Sequence, residues 1–246
     1  MARPPLQYIR LVTFDAFHTL YMPKGSVGLQ YATVLAGYGI HVDTDVVQRA
    51  NKEVIKEYRK LYPNYGMKTG MTTAMWWQEV VVQKTWIKAG VPEDTVKGII
   101  AEGAATLIDR FNSKEGYDVY PDVVRTLRIL KRKGIKLGVI SNSDERTKDI
   151  LASLDLSQYF DFIVTSAKFG EEKPSPLIFE AALRNMGVSA FDALHVGDDY
   201  KTDYVGAKSV GMEALIIDRA CMGASETEPG IYIHSMQELI PLLASP

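Results

Sequence analysis

Short apolar runs alternate with amphipathic segments of helix length, and this alternation constrains the fold more than any other feature of the sequence. The runs are rich in β-branched or aromatic residues and cover 9–15, 135–144, 160–166, 193–199 and 212–218. Between them, segments such as 123–133 and 176–186 carry apolar residues at helical spacing. Buried strands that alternate with helices predict an α/β fold, a doubly wound parallel sheet covered on both faces.

The interval between the first and second runs has a different pattern. It contains four amphipathic segments of helical period, at roughly 26–37, 43–61, 72–88 and 92–111. Asp43 and Thr72 are suited to cap the second and third segments, and Pro92 is suited to the first turn of the fourth. We therefore expect an all-helical domain at 22–117, inserted into an α/β core formed by 1–21 and 118–246.

Composition narrows the range of functions. The chain has 246 residues, of which 46% are hydrophobic and 24% charged, with a formal net charge of −2. A near-neutral chain offers no electrostatic reason to expect nucleic acid or a membrane surface as partner. Its single cysteine, Cys221, and the lack of a signal-peptide pattern predict an intracellular protein, cytoplasmic and/or nuclear. Nothing in the sequence sets the oligomeric state.

Polar residues follow four of the predicted strands. These residues are Asp15 and Thr19 after the first, Ser141 and Asn142 after the second, Lys173 after the third, and Asp198, Asp199 and Asp203 after the fourth. Ligands of open α/β sheets bind outside the carboxyl ends of the strands, so we expect these side chains to meet at one edge.

That set of side chains suits phosphoryl chemistry. Asp15 could attack a phosphoryl group if something offsets the repulsion between like charges. A Mg²⁺ ion held by the oxygens of Asp15 and Asp198 would do so. The hydroxyl of Ser141 could bind phosphoryl oxygens, and Lys173 could neutralise negative charge on the nucleophile and the transferred group.

The same residues, taken in order, resemble the four motifs of the haloacid dehalogenase superfamily. The matching stretches are FDAFHTL (14–20), GVISNSD (138–144), EKPSPLIF (172–179) and VGDDYKTDYVGAKSVGM (196–212). The fourth stretch is long and the most specific. The resemblance covers the whole chain, because one subclass of the superfamily inserts an all-helical cap between the first two motifs. It implies a hydrolase that acts on a small phosphorylated metabolite, with Mg²⁺ as cofactor.

The resemblance also implies roles for individual residues. Asp15 would be the nucleophile that forms an aspartyl intermediate, with Lys173 and Ser141 as further catalytic residues. Phosphate would be bound by Thr19, Ser141, Asn142 and Lys173. The metal would be bound by Asp15, the backbone carbonyl of Phe17, and Asp198. Asp203 would steer Lys173 or a water molecule at the metal, with assistance from Asp199.

Phe17 is the departure from the family pattern. Family phosphatases carry an aspartate there that serves as general acid and base, and a phenyl ring has no proton to give. The loss of such a group costs about 10²- to 10⁴-fold in rate. Histidine side chains in general can exchange protons near neutral pH, so His18, the next residue along the chain, is a candidate substitute.

Three functions stay open at this point. The first is a weak or unusual Mg²⁺-dependent phosphatase, and the second is a catalytically impaired protein that binds a phosphorylated ligand without turnover. The third is a metal-independent 2-haloacid dehalogenase, whose first motif also carries an aromatic residue two positions after the nucleophile. The retained acids of the fourth motif, and the lack of any arginine between Thr19 and Arg49, argue against the third.

Overall fold

The structure is a computed structural model that describes residues 6, 8–221 and 228–243. Its contacts divide the chain into two compact units. One consists of Met1–Met22 together with Val119–Pro246, and the other of Pro23–Asp118. Among the described residues, no helix combines the length and apolar character needed to cross a membrane.

In the described part of the chain, eight strands form two sheets. The strands are β1 (Leu11–Phe14), β2 (Tyr21–Pro23), β3 (Tyr117–Val119), β4 (Lys136–Ser141), β5 (Phe162–Thr165), β6 (Ala193–Gly197), β7 (Glu213–Ile217) and β8 (Tyr232–Ile233). Six of them form a parallel sheet in the order β5-β4-β1-β6-β7-β8, and β2 pairs with β3. The predicted parallel α/β sheet is confirmed, and all five predicted strands belong to it.

Helices follow most of the strands. The α-helices are α1 (Val27–Gly37), α2 (Thr44–Leu61), α3 (Thr73–Met75), α4 (Gln83–Lys88), α5 (Glu93–Arg110), α6 (Val123–Arg132), α7 (Thr147–Ser153), α8 (Ser166–Phe169), α9 (Pro176–Met186), α10 (Gly206–Ser209) and α11 (Leu239–Leu242). Short 3₁₀ segments lie at Ser157–Tyr159, Ala190–Asp192 and Met236–Glu238, and π-helical turns lie at Trp76–Val82 and Tyr200–Val205. The stretch Pro63–Thr69 is irregular, because Asn64, Tyr65 and Gly66 in it have positive φ.

The central strand of the large sheet is β1. Phe14, at its carboxyl end, is in register with Val139 of β4 on one side and with Val196 of β6 on the other. The chain runs outward from β1 through β4 to β5, then returns to the other side of β1 and runs outward again from β6. The direction of winding therefore reverses beside β1, which is where open α/β sheets bind ligands.

Apolar side chains of the strands and helices form the core of the sheet-containing unit. The ring of Phe179 in α9 is fully buried against a cluster that includes Leu11 of β1 and Ile140 of β4. Pro176 occupies the first turn of α9, where its missing N–H costs no helical hydrogen bond. This packing places the rigid sheet directly beneath the polar residues that follow its strands.

The second unit is helical, as its amphipathic pattern predicts. Asp43 accepts hydrogen bonds from the N–H groups of Asp45 and Val46, and Thr72 accepts one from Met75, so both predicted caps are confirmed. Pro92 differs slightly from expectation, because the helix begins at Glu93 and the extended ψ of 138° places Pro92 just before the first turn.

The core of the helical unit is built around Trp86, which is fully buried in α4. The segment predicted at 72–88 is helical from Thr73 to Lys88 but contains a π-helical turn, which shifts the positions of the side chains that follow it. Trp76, in that turn, is buried against the edge of Tyr65 with 5.9 Å between ring centroids.

Candidate active site

The polar residues that follow β1, β4 and β6 stand at one edge of the sheet. Asp15 comes directly after β1, and its N–H donates to the carbonyl of Val196 in β6 at 2.9 Å. Ser141 is the last residue of β4, and Asp198 follows β6. Lys173 lies in the loop between α8 and α9. The parallel sheet thus brings together residues that are far apart in the sequence.

Lys173 lies between two carboxylates. Its Nζ donates to Oδ1 of Asp15 at 2.6 Å and to Oδ1 of Asp203 at 2.5 Å, and its side chain is almost fully buried. Burial alone would lower the pKa of Lys173, but the two carboxylates outweigh it and hold that pKa above its ordinary value. Lys173 therefore remains an ammonium ion fixed against Asp15.

Asp15 is buried but remains ionisable near neutral pH. Burial, together with the negative charge of Asp203, raises the pKa of Asp15 to about 6. Lys173 and a side-chain hydrogen bond from Ser141 oppose that rise by favouring the carboxylate form. Asp15 is thus desolvated and yet ionised at neutral pH. A carboxylate with these two properties can act as a nucleophile.

Asn142 fixes the loop that carries Lys173. Its side-chain amide donates to the backbone carbonyl of Lys173 at 2.8 Å, and its side-chain oxygen accepts the N–H of Lys173 at 2.6 Å. The sequence places Asn142 among the phosphate-binding candidates. The structure shows that both polar atoms of this side chain bond to the backbone of the residue that bears the ammonium.

Thr19 has a buried hydroxyl that makes no hydrogen bond within the described part of the chain. The residue is fully buried, and its Oγ1 has no hydrogen-bond partner among the described residues. A buried polar atom without a protein partner is costly, so this hydroxyl is available to a water, an ion or an oxygen of a bound molecule. The backbone carbonyl of Thr19 is fixed separately, because it accepts a hydrogen bond from Arg219 at 2.7 Å.

The acids after β6 differ in what they contact. Asp199 caps the π-helical turn, and its Oδ1 accepts from the N–H of Thr202 at 2.7 Å and from the Thr202 hydroxyl at 2.9 Å. Asp198 is exposed, but the surrounding protein desolvates its carboxyl, and the negative charges of Asp15 and Asp203 add to that effect. Together they raise the pKa of Asp198 to about 8.

The site carries more negative than positive charge, which favours a cation. The carboxyls of Asp15 and Asp203 contact one ammonium, and the carboxyl of Asp198 lies close enough for its pKa to respond to the charges of all three groups. The pKa values of Asp15 and Asp198 are raised. Hard oxygen donors of this kind suit Mg²⁺. Among the described residues no group of three or more His, Cys, Asp or Glu could hold a metal ion. A cation here would need Asp15, Asp198, a backbone carbonyl such as that of Phe17, and water.

Phe17 and His18 form an aromatic pair beside Asp15. Their ring centroids are 4.1 Å apart, and the edge of Tyr21 approaches Phe17 at 6.2 Å. The N–H of His18 donates to the carbonyl of Tyr21 at 2.8 Å, and the backbone of His18 adopts a left-handed φ of 60°. Both side chains of the pair are exposed. The position two residues after Asp15 thus carries an apolar ring against the imidazole.

Sequence reasoning missed His195, which the structure connects to the site. Its Nε2 lies 3.0 Å from Oδ1 of Asp203, and its Nδ1 lies 2.8 Å from Oγ1 of Thr13 in β1. The available signal was a titratable residue inside the otherwise apolar run ALHVG of the predicted fourth strand.

Arg219 was missed as well. It follows β7 at the same sheet edge, donates to Asp122 at 2.7 Å and to the carbonyl of Thr19, and stacks over the ring of Tyr120 with 4.0 Å to its centroid. The position of an arginine directly after a predicted strand could have identified it. Arg219 thereby connects the loop after β1 to the start of α6.

Comparison with known proteins identifies the family. The family model of haloacid dehalogenase-like hydrolase matches residues 9–211. Haloacid dehalogenase-like hydrolase domain-containing protein 3 of Bos taurus is 34% identical over 243 residues, covering 96% of this chain and 94% of the relative. Rhythmically expressed gene 2 protein of Drosophila melanogaster is 29% identical over 223 residues, covering 86% of this chain and 84% of the relative.

Solved structures titled as dehalogenases and as phosphatases share the fold of this chain. A crystal structure titled as a dehalogenase with an intermediate complex superposes with a TM-score of 0.73 at 19% identity, covering 98% of this chain and 99% of that chain. A HAD phosphatase from Thermococcus onnurineus superposes with a TM-score of 0.63 at 23% identity, covering 94% and 96%. The parallel sheet, the order of the motif residues and the match over most of the sequence agree, and the chain belongs to the haloacid dehalogenase-like hydrolases.

Proposed function

We propose that this protein is a Mg²⁺-dependent hydrolase of small phosphorylated molecules, with Asp15 as its nucleophile. The observation that supports this most strongly is the contact of the Lys173 ammonium with both Asp15 and Asp203. A buried carboxylate that is ionised near neutral pH, with a fixed positive charge beside it, suits attack on a phosphoryl group.

In the proposed first step, a carboxylate oxygen of Asp15 bonds to phosphorus, and the bond from phosphorus to the leaving-group oxygen breaks. The leaving group departs with the electron pair. In this proposal the phosphoryl oxygens, on which negative charge accumulates, are bound by the Lys173 ammonium and the hydroxyls of Ser141 and Thr19. In the second step a water oxygen bonds to phosphorus as the bond from phosphorus to the Asp15 oxygen breaks. One water proton passes to solvent, and phosphate and the Asp15 carboxylate are released.

The proposed cation would be held by Asp15, Asp198 and the backbone carbonyl of Phe17, with water completing its coordination. Bound there, it would neutralise phosphate charge and so permit the approach of an anionic nucleophile. The excess of carboxylates over ammonium groups supports this assignment, as do the raised pKa values of Asp15 and Asp198.

Phe17 limits the substrates that this mechanism can serve. The phenyl ring cannot protonate an alkoxide leaving group, and it cannot accept a proton from the attacking water. Esters whose leaving groups are stable as anions, such as aryl phosphates, therefore suit the site better than alkyl phosphates. His18 is exposed next to this ring, with 4.1 Å between ring centroids, and is the candidate substitute for the missing acid and base.

The test is phosphate release from a panel of small phosphorylated molecules in the presence of Mg²⁺. The proposal expects release by the wild-type protein, faster for aryl than for alkyl esters, and a loss of activity in Asp15→Asn. The asparagine variant keeps the size of the side chain and removes its charge, so it isolates the nucleophile. Equal release by the wild type and Asp15→Asn would refute the proposal.

Phe17 also favours a second candidate, a protein that binds phosphorylated ligands without turnover. Such a protein would show Mg²⁺-dependent binding of phosphorylated molecules, with no phosphate released from any member of the panel. The aromatic residue at this position equally permits a third candidate, a metal-independent dehalogenase. Release of halide from a 2-haloacid without added metal would identify that activity.

A further inference from the structure

His195 is a buried titratable residue that the proposed mechanism does not use. It lies in β6 with none of its surface exposed, and its ring meets the edge of Phe179 with 5.2 Å between centroids. Both ring nitrogens are nevertheless engaged, Nε2 with Asp203 at 3.0 Å and Nδ1 with Thr13 at 2.8 Å. A buried imidazole with two polar partners is held in one orientation.

The partners determine which ring nitrogen carries the proton. Burial outweighs the neighbouring carboxylate and lowers the pKa of His195, so the imidazole is neutral at neutral pH. Burial would raise the pKa of Asp203, but Lys173 and His195 outweigh it and keep that carboxyl ionised, so it can only accept. Nε2 of His195 therefore donates to Asp203, and the hydroxyl of Thr13 donates to Nδ1.

Asp203 is consequently held from three directions. Its Oδ1 accepts from His195 and from the Lys173 ammonium at 2.5 Å, and its Oδ2 accepts the N–H of Asp199 at 3.1 Å. The carboxyl of Asp203 fits here only because residue 197 is glycine, since a Cβ on residue 197 would overlap that carboxyl. A neutral imidazole fixes the carboxylate without adding a positive charge that would compete with the ammonium.

We propose that His195 is a positioning residue that acts through Asp203 to hold the Lys173 ammonium against Asp15. The connection runs from Thr13 through His195 and Asp203 to Lys173. The catalytic part of this proposal, an effect of His195 on turnover, rests on the proposed function. Its structural part, the fixed position of the ammonium, does not rest on that function and is tested separately.

The structural part is tested by nuclear magnetic resonance of ¹⁵N-lysine-labelled protein. A buried ammonium held by two carboxylates exchanges its protons slowly, so Lys173 should give a separate signal, assigned by its loss in Lys173→Met. We expect His195→Gln to keep this signal, because a glutamine amide can place an N–H near the position of Nε2. His195→Asn, whose shorter amide reaches only the position of Nδ1, should shift or broaden it.

Two further variants keep the test decisive. Thr13→Val removes the hydroxyl that fixes the tautomer with little change in shape, and it should perturb the Lys173 signal even if His195→Asn fails to fold. Leu194→Ala is the matched control, because it removes buried apolar volume next to His195 but alters no side-chain hydrogen bond of Asp203. An unchanged signal in both His195→Asn and Thr13→Val, or no protected signal in the wild type, would overturn the proposal.

The catalytic part is tested with an aryl phosphate and Mg²⁺. A positioning role predicts that His195→Asn lowers kcat by about tenfold or more while KM stays near the wild-type value, and that His195→Gln restores most of the loss. An equal loss in Leu194→Ala, or a rise in KM with unchanged kcat, would contradict it. If the wild type releases no phosphate while the Lys173 signals follow the expected pattern, the proposed function fails and the positioning role stands.

Discussion

Phe17 is the residue on which catalytic power depends in this account. A side chain two residues after the nucleophile is placed to exchange protons with the leaving group and with water, and here it is a phenyl ring packed on His18 at 4.1 Å. The carboxylate proposed as nucleophile, Asp15, is in contact with the Lys173 ammonium and accepts a hydrogen bond from Ser141. Under the proposed function, Phe17 is therefore a local loss of the proton donor.

Replacement of Phe17 by aspartate should raise activity. We expect Phe17→Asp to increase kcat for an alkyl phosphate by about 10²- to 10⁴-fold, because the new carboxyl can protonate the leaving group. Phe17→Asn is the matched control, since it has nearly the same shape but no exchangeable acid proton. No gain in a folded Phe17→Asp variant, or an equal gain in Phe17→Asn, would contradict this explanation.

Asp198 should determine metal affinity. Its carboxyl is crowded by the negative charges of Asp15 and Asp203, and a divalent cation would relieve that repulsion. Calorimetric titration with Mg²⁺ should show binding weakened about tenfold or more in Asp198→Asn. Asp192→Asn, at the opposite end of the same strand, should bind as the wild type does. Equal affinities in all three proteins would remove Asp198 from the ligand set.

At the scale of elements, Arg219 and Asp122 fasten three parts of the sheet-containing unit together. Oδ2 of Asp122 accepts from Arg219 at 2.7 Å, from the Ser235 hydroxyl at 2.9 Å and from the N–H of Met236 at 2.7 Å. Arg219 in turn donates to the carbonyl of Thr19. The pair joins the loop after β1, the start of α6 and the 3₁₀ segment near the end of the described chain.

The stability that Asp122 supplies should depend on pH. Burial would raise the pKa of Asp122, but the bonds from Arg219, Met236 and Ser235 outweigh it and lower that pKa below its ordinary value. The contribution is therefore present above the unfolded pKa of about 4 and is lost as the pH falls through the folded value.

In urea unfolding near neutral pH, Asp122→Asn should lower the free energy of unfolding by about 1–3 kcal/mol. The difference from the wild type should shrink below a pH of about 4. The exposed Asp109→Asn controls for the chemical change and should behave as the wild type at both values. A difference that is constant with pH would show that the charge of Asp122 does not stabilise the fold.

Helix α5 offers a test of packing in the helical unit. A Cβ at Gly103 would lie 2.6 Å from the ring of the buried Trp86, whereas a Cβ at Gly98 of the same helix would meet nothing within 4 Å. Gly103→Ala should lower the free energy of unfolding by about 1–3 kcal/mol through overpacking. Gly98→Ala should raise it by up to about 1 kcal/mol, since alanine favours helix. Thermal unfolding that ranks the two variants in the opposite order would contradict this packing.

The local pattern of apolar residues predicted the strands and helices that are long enough to show such a pattern. The runs at 193–199 and 212–218 became β6 and β7, and the segment at 176–186 became α9. The strands β2, β3 and β8 were missed because they have only two or three residues, too few for any periodicity. Their hydrogen bonds come from partners brought near by the rest of the fold.

At the scale of the whole molecule, the order of the motif residues along the sequence indicated which side chains meet in the folded chain. Asp15, Ser141 and Lys173 are separated by long stretches of chain, and only the parallel sheet makes them neighbours. A rule about strand ends therefore predicted that these side chains lie close together. The same rule points to Arg219, which follows β7, but does not give its partners Thr19 and Asp122. His195 lies inside β6 and not at its end, so the rule does not reach it.

The central claim is that Asp15 receives a phosphoryl group from the substrate. Without a general base at Phe17, hydrolysis of the aspartyl intermediate should be slow, so the intermediate should accumulate during turnover of an aryl phosphate with Mg²⁺. Borohydride reduces an acyl phosphate to an alcohol, which would convert Asp15 into homoserine. Peptide mass spectrometry should find homoserine at position 15 only when substrate and Mg²⁺ are both present. An unmodified Asp15 under those conditions would contradict the account.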